Sequence, residues 1–292
     1  MKRMLVLLSA ALLVAGSASI ASAQLTSAKE GPVVYGHHHL NTTNMDAQKK
    51  FFVDTLGGTL IKIGTNNAEI VKFPNVLIFF RATQAPTGGT RGTTVNHIGF
   101  SVPNLRATVD KVSAAGYPIV TQAEVASDVK VKDGIGVAPS GATIAFVMGP
   151  DDVKVEFVEA KQQTIPITLH HVHFFNPKNV EMRDWYVKTF GATARDGGAF
   201  PVAALPGVAL NFSPSTAPVV GTAGRALDHV GFEVKNLEEF TKKLEADGIK
   251  MSVPYRKVPA LGIAIAFFTD PWGTYIELNE RPDTPSQTTA AR

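Results

Sequence analysis

LDHVGFEV, residues 227–234, has a counterpart 132 residues earlier at 95–102: His229 falls on His97, Gly231 on Gly99, Phe232 on Phe100 and Val234 on Val102. The match continues through Asn104/Asn236 and Leu105/Leu237 to Gly116/Gly248. Upstream, an offset of 134 lays His37 on His171, His39 on His173, Phe51 on Trp185, Phe52 on Tyr186, Val53 on Val187 and Gly57 on Gly191. Downstream, Gly149-Pro150 to Glu156 lies on Asp270-Pro271 to Glu277 with an offset of 121, so the second copy is eleven residues shorter in the preceding hairpins. A duplication of this length sets the architecture before any other feature.

Each half divides again. A unit opens on a short strand that carries a His. A helix follows, entered at or near Asn44, Asn104, Asn179 and Asn236, a residue type suited to the N-cap. It is left near Gly57, Gly116, Gly191 and Gly248, where a left-handed residue closes the last turn. In the first helix Ala47, Phe51, Val53 and Leu56 form an apolar face, with Asp46, Lys49, Lys50 and Asp54 between them. Three short strands between Gly, Pro and Asn turns complete the unit. The pattern predicts an α+β fold of four βαβββ units at 33–83, 93–160, 166–215 and 225–281, grouped as two domains, 33–160 and 166–281. Residues 84–92 and 216–224 are expected to be linkers, and 282–292 a flexible polar tail.

The chain begins with Lys2 and Arg3, an apolar run from Met4 to Gly16, and the small-residue pattern Ala21-Ser22-Ala23. This is the layout of a secretory signal, predicted to span 1–23 with cleavage after Ala23. The apolar run is short for a membrane span. An exported protein, periplasmic or extracellular and free of the membrane after cleavage, is expected. Without Lys2 and Arg3, 26 basic side chains face 25 acidic ones, which leaves no electrostatic footprint for nucleic acid or an anionic membrane. The absence of cysteine excludes disulfides, a lipoprotein anchor and thiolate metal sites. A hydrophobic content of 45% is enough for the core alone to hold the fold.

The order His, His, Glu occurs twice, as His37, His97, Glu156 and as His171, His229, Glu277. Two imidazoles and one carboxylate with open positions form a facial ligand set for redox or Lewis-acid metals. Strand alternation puts His39 and Asn41 on the face of His37, and His173 and Phe175 on the face of His171. Gly99 and Gly231, then Ser101 and Glu233, occupy the equivalent places in the other units. The glycines are expected to leave room for a ligand. His39 and His173 are candidates for proton transfer or substrate binding, and Glu233 is a further candidate base. His38 and His170 point away. Lys154, two residues before Glu156, is expected to pair with that carboxylate and weaken its site; Tyr275 stands in the matching place.

Four βαβββ units, the opening LDHVGFEV and the closing DPWGTYIEL at 270–278 together resemble the vicinal oxygen chelate superfamily. That group includes glyoxalase I, extradiol dioxygenases, methylmalonyl-CoA epimerase, fosfomycin-resistance transferases and bleomycin-binding proteins. The resemblance covers nearly all of 33–281. It implies that units pair into two curled sheets, or half-barrels, each around a cavity, with metal ligands on first and last strands. His37, His97, His171 and His229 then take the first-strand position, and Glu156 and Glu277 the last-strand position. The last strands of units one and three, Val76 to Phe80 and Val208 to Phe212, offer only Asn211 as a polar residue, a departure from the four-ligand glyoxalase I site. Extradiol dioxygenases carry a Tyr ten residues before the Glu, where this chain has Phe146 and Phe267, and a later His, whereas all eight His here lie on first strands. The thiol and coenzyme A cosubstrates of other members are not expected outside the cytoplasm.

Pairing units 1+2 and 3+4, or 1+4 and 2+3, gives two complete triads either way, and the tendency of sequential elements to pack together favours the first. The resemblance implies a divalent transition metal (iron, manganese, zinc, nickel or cobalt) and a small substrate with two vicinal oxygens. It points to a metal-dependent enzyme of dioxygenase or lyase/isomerase type. The alternative is a non-catalytic, bleomycin-resistance-like binding protein, against which the retained triads count.

Overall fold

The computed structural model describes residues 32–281; the expected signal segment and tail lie outside the described residues. Unit one runs β1 (Val33–Asn41), α1 (Met45–Lys49), a π-helical turn (Lys50–Thr55), β2 (Thr59–Ile63), β3 (Ala68–Phe73) and β4 (Val76–Arg81). Unit two runs β5 (Val95–Val102), α2 (Leu105–Ala114), α3 (Thr121–Glu124), β6 (Lys130–Lys132), β7 (Ile135–Val137), β8 (Thr143–Met148) and β9 (Lys154–Glu159). Unit three runs β10 (Thr168–Phe175), α4 (Asn179–Phe190), β11 (Thr193–Asp196), β12 (Pro201–Leu205) and β13 (Val208–Ser213). Unit four runs β14 (Leu227–Val234), α5 (Leu237–Ala246), β15 (Met251–Val258), β16 (Ile263–Thr269) and β17 (Tyr275–Glu280). Three units follow the βαβββ pattern. Unit two adds α3 and a fourth strand, which accounts for the length the second copy lacks. Among the described residues no helix is long and apolar enough to cross a membrane.

The strands form two mixed sheets, β15-β16-β17-β14-β1-β4-β3-β2 and β11-β12-β13-β10-β5-β9-β8-β7-β6. Units one and four share the first sheet and units two and three the second. The expected pairing of 1+2 and 3+4 is therefore corrected. The reason lies in the connections. From β9 the chain returns through residues 160–167 directly to β10 on the other side of β5. Gln163 clamps this return: Ser101 Oγ donates to its Oε1 (2.6 Å), and its Nε2 donates to the Ser101 and Ile165 carbonyls (3.0 and 2.8 Å). The linkers 1→2 and 3→4 instead cross between sheets side by side. Thr87 N donates to Gly224 O, Ala226 N to Gly88 O, and Thr94 N to Val220 O.

Sequential units do touch, but through the core. Phe51 of unit one meets Tyr117 of unit two edge-on at 4.7 Å, and Phe190 of unit three stacks on Phe232 of unit four at 4.6 Å. One continuous apolar core, including Tyr35, Phe73, Phe100, Phe157 and Phe268, joins both sheets. Such aromatic side chains supply most of the apolar area that burial removes from water.

Asn44 and Asn104 cap their helices, each accepting at 3.0 Å from the backbone N–H three residues on. Asn179 and Asn236 do not. Lys178 precedes α4 as its cap residue, and Asn236 is left-handed (φ 56°) with no side-chain cap. At α5 the Glu280 carboxylate accepts from Asn236 N and Leu237 N, as Glu159 accepts from Leu105 N at α2. A last-strand carboxylate thus meets the positive end of the helix. The four helix-ending glycines all have positive φ, from 68° to 90°.

Candidate metal centres

Antiparallel pairing of β1 with β14 sets His37 opposite Gly231 and His39 opposite His229. Pairing of β10 with β5 repeats this, with His171 opposite Gly99 and His173 opposite His97. Parallel pairing then brings Glu277 of β17 beside Gly231, and Glu156 of β9 beside Gly99. The result is two clusters, His37/His39/His229/Glu277 and His97/Glu156/His171/His173, in each of which one donor atom per residue lies within 4.8 Å of the others. All six triad residues come together, in the combination given by units 1+4 and 2+3.

Contrary to the expectation from sequence, the glycines do not leave room for an external ligand. A Cβ at Gly231 would lie 2.0 Å from the His37 ring, and one at Gly99 would lie 2.1 Å from the His171 ring. The space belongs to the imidazoles themselves, which explains why glycine stands at both places.

In the first cluster Glu277 Oε2 lies 2.8 Å from His229 Nε2 and 3.2 Å from His37 Nε2. His229 Nδ1 donates to Asp228 Oδ1 (2.7 Å). Asp228 is itself fixed by Asn41 Nδ2 (3.0 Å) and by the backbone N–H of Gly224 (2.7 Å). Asn279 Nδ2 holds the other oxygen of Glu277 at 2.7 Å. In the second cluster Glu156 Oε2 lies 2.8 Å from His97 Nε2 and 3.0 Å from His171 Nε2. His97 Nδ1 donates to Asn96 Oδ1 (2.9 Å), and the two Nδ1 atoms of His170 and His171 are 2.9 Å apart. His170, expected to point away, therefore touches the back of a cluster residue.

This geometry suits a cation. A neutral imidazole has one N–H. Where it is spent on Asp228 or Asn96, the lone pair of Nε2 faces a carboxylate oxygen, and only a proton or a metal ion makes that contact favourable. Burial opposes charge on both glutamates, yet the adjacent histidines hold them well below the usual carboxylate range: His37 and His229 for Glu277, His171 and His97 for Glu156. Burial likewise opposes protonation of His229, but Asp228 and Glu277 outweigh it and raise its pKa. Burial wins at His97, which falls to about 4 although Glu156 opposes it. Burial also lowers His39 and His173 well below the usual imidazole value. Ligand histidines must be deprotonated; the lowered values at His97, His39 and His173 favour that form, whereas the raised His229 must give up its proton to a metal ion.

Other expected residues fall elsewhere. His38 points into the core and bonds Tyr35 Oη at 2.8 Å. Glu233 lies outside both clusters, packed over Gly36 and ion-paired with Arg281 Nε at 2.6 Å, so it is not a free base. Ser101 is engaged by Gln163. Lys154 does not pair with Glu156; its ammonium is bonded to Glu124 of α3 and sits 5.4 Å over the Phe146 ring. Asp228 and Asn96 were not singled out in the sequence, although each precedes a triad His at the repeat offset of 132. That matched polar pair is the signal that identifies them. The cluster walls are aromatic: Phe79, Phe267 and Tyr275 around the first, and Phe146, Phe175 and Phe200 around the second.

Comparison with known proteins agrees with this architecture. The family model described as Glyoxalase/Bleomycin resistance protein/Dioxygenase superfamily matches residues 34–157 and 168–278. Lactoylglutathione lyase of Haemophilus influenzae is 27% identical over 139 residues, covering 43% of this chain and 91% of that protein. Glyoxalase I from Zea mays shares the fold with a TM-score of 0.65 at 16% identity, over 86% of this chain and 94% of that one. A Bacillus subtilis structure described as a candidate dioxygenase has a TM-score of 0.61 at 12% identity, over 85% and 86% of the two chains. With the two matches covering most of its length and the curled sheets they imply in place, the chain belongs to the Glyoxalase/Bleomycin resistance protein/Dioxygenase superfamily.

Proposed function

We propose that the protein is an exported, metal-dependent enzyme that acts on a small substrate through two vicinal oxygens, by dioxygenase or lyase/isomerase chemistry. One observation carries this reading: in each sheet a single buried carboxylate oxygen is approached within 3.2 Å by two imidazole Nε2 atoms. His37, His229 and Glu277 would hold one divalent transition metal, and His97, His171 and Glu156 another. The donor set suits iron, manganese, zinc, nickel or cobalt. Such an ion supplies Lewis acidity at a chelated oxygen pair, or activation of dioxygen.

The chain's own groups set the conditions. Asp228 and Asn96 hold the tautomers of His229 and His97. The aromatic walls exclude water and favour a substrate with an apolar or aromatic body beside its oxygens. The lactoylglutathione lyase relative supports the lyase/isomerase form, and Phe146 and Phe267 in place of tyrosine weigh against catechol cleavage. The predicted signal at 1–23 supports export. The aromatic walls are also what a non-catalytic binding protein would need; the preserved histidine–carboxylate clusters favour catalysis.

The test is metal analysis by plasma mass spectrometry on protein purified without chelator or nickel, followed by a panel of hemithioacetals, catechols and 2-oxo acids. Bound transition metal, and turnover of a panel member that falls at least 100-fold in Glu277→Gln/Glu156→Gln, is expected. No metal, and none taken up on reconstitution, would overturn the reading. Tight substrate binding without turnover would favour the binding protein.

A further inference from the structure

We propose that His39 and His173 are metal donors, each the fourth protein ligand of its cluster, rather than free acid–base groups. This rests on the metal reading above. The first support is a relocation visible in the strand register. In units two and four, the residue two places after the first-strand His is glycine, and its parallel partner on the last strand is the glutamate: Gly99 with Glu156, Gly231 with Glu277. In units one and three the same two places hold His39 with Phe79 and His173 with Asn211. Where the last strand lacks a carboxylate, an imidazole stands beside it on the first strand. The donor has moved one strand over, in both half-molecules.

The second support is unmet bonding capacity. Both ring nitrogens of His39 and Nδ1 of His173 are buried from solvent and have no hydrogen-bond partner. Buried polar atoms are normally paired, and each exception calls for an explanation. Ligation supplies one at both matched positions. His173 Nε2 is 2.8 Å from Ser213 Oγ. With its N–H donated there, the ring keeps its lone pair on Nδ1, the fixed tautomer that an outer hydrogen bond imposes on a ligating histidine. The His39 ring is steadied by stacking on Phe79 at 5.9 Å. Both rings also lie against a triad imidazole, His39 at 4.4 Å from His229 and His173 at 4.6 Å from His97.

The experiment is Co(II) titration of the full chain after metal removal, followed by the visible d–d band. One cluster is read at a time by disabling the other with Glu277→Ala or Glu156→Ala. In the Glu277→Ala chain, His173→Phe is expected to weaken Co(II) at least tenfold and to change the band. Ser213→Ala is expected to weaken it about threefold with the band retained. His39→Phe in the Glu156→Ala chain should behave as His173→Phe does. Unchanged affinity and band in the two His→Phe variants would overturn the proposal and leave the triads standing. If His173→Phe does not fold, unchanged Co(II) affinity in Ser213→Ala overturns the proposal for that cluster. Failure of both parent chains to bind Co(II) would overturn it together with the metal reading.

Discussion

The two clusters share a layout and differ in what stands behind it. Behind His229 is a carboxylate, Asp228, held by Asn41 and by the crossing linker at Gly224; against the effect of burial, its bond to His229 first, then those to Gly224 and Asn41, draw its pKa down to about 2. Behind His97 is a neutral amide, Asn96, and in place of Asn41 stands Phe175. Beside Glu277 the ring of Tyr275 stacks on Phe267 at 5.4 Å; beside Glu156 the Lys154 ammonium lies over Phe146. The first cluster has a basic, anion-backed imidazole, while the second has a neutral backing and a cation nearby. A metal ion should bind the first more tightly, because a carboxylate hydrogen-bonded to a ligating histidine raises its donor strength. Duplication preserved the donors and let the supporting residues diverge.

The largest effect that could break this comparison is steric. Gly231→Ala and Gly99→Ala each place a Cβ inside a ligand imidazole. Each should abolish metal binding at its own cluster, by about 100-fold or more, and leave the other intact, as site-resolved metal titration would read. Equal loss at both clusters, or at neither, would contradict the placement of His37 and His171. Next is the ion pair found only behind the second cluster. Glu124→Ala strands a buried Lys154 and should cost about 3 kcal/mol in urea unfolding. A loss below about 1 kcal/mol would mean that Lys154 finds another partner. Exchanging the backing groups should sharpen the comparison. Asp228→Asn should weaken metal at the first cluster roughly tenfold, and Asn96→Asp should strengthen it at the second; no change in either would remove the proposed cause of the asymmetry.

The last effect concerns protons. His38 of β1 is buried where β10 carries Val172, and burial chiefly, with some repulsion from His37, lowers its pKa to about 3. In the unfolded chain it titrates near 6.5, so the folded state binds one proton fewer between about pH 3 and 6.5. Stability from this group is present above that window and is lost as pH falls through it. His38→Val should therefore flatten the acid side of the metal-free stability curve by about 1.4 kcal/mol per pH unit. An unchanged slope would show that His38 does not carry this proton linkage.

The His, His, Glu order, the inward faces of His39 and His173, and the helix-ending glycines are all legible in the chain, because strand alternation is local and the repeat can be read by aligning one half on the other. The pairing of units is not. Either pairing completes both triads, and the choice depends on the Gln163 clamp and the crossing linkers, which become visible only in three dimensions. The partner of Lys154 was hidden for a similar reason, since Glu124 sits on α3, an element without a counterpart in the other units. The glycines opposite the ligand histidines were recognised as space, but only the register shows that the imidazoles fill it.

The central claim is that each metal centre is assembled from one unit of each half of the duplicated chain, units one and four for the first and units two and three for the second. It is tested most directly by counting metal equivalents in His37→Ala/Glu277→Ala beside the unsubstituted protein. The account predicts a fall from two equivalents to one, since both residues serve a single cluster. A fall to none would place His37 and Glu277 in separate centres and contradict it.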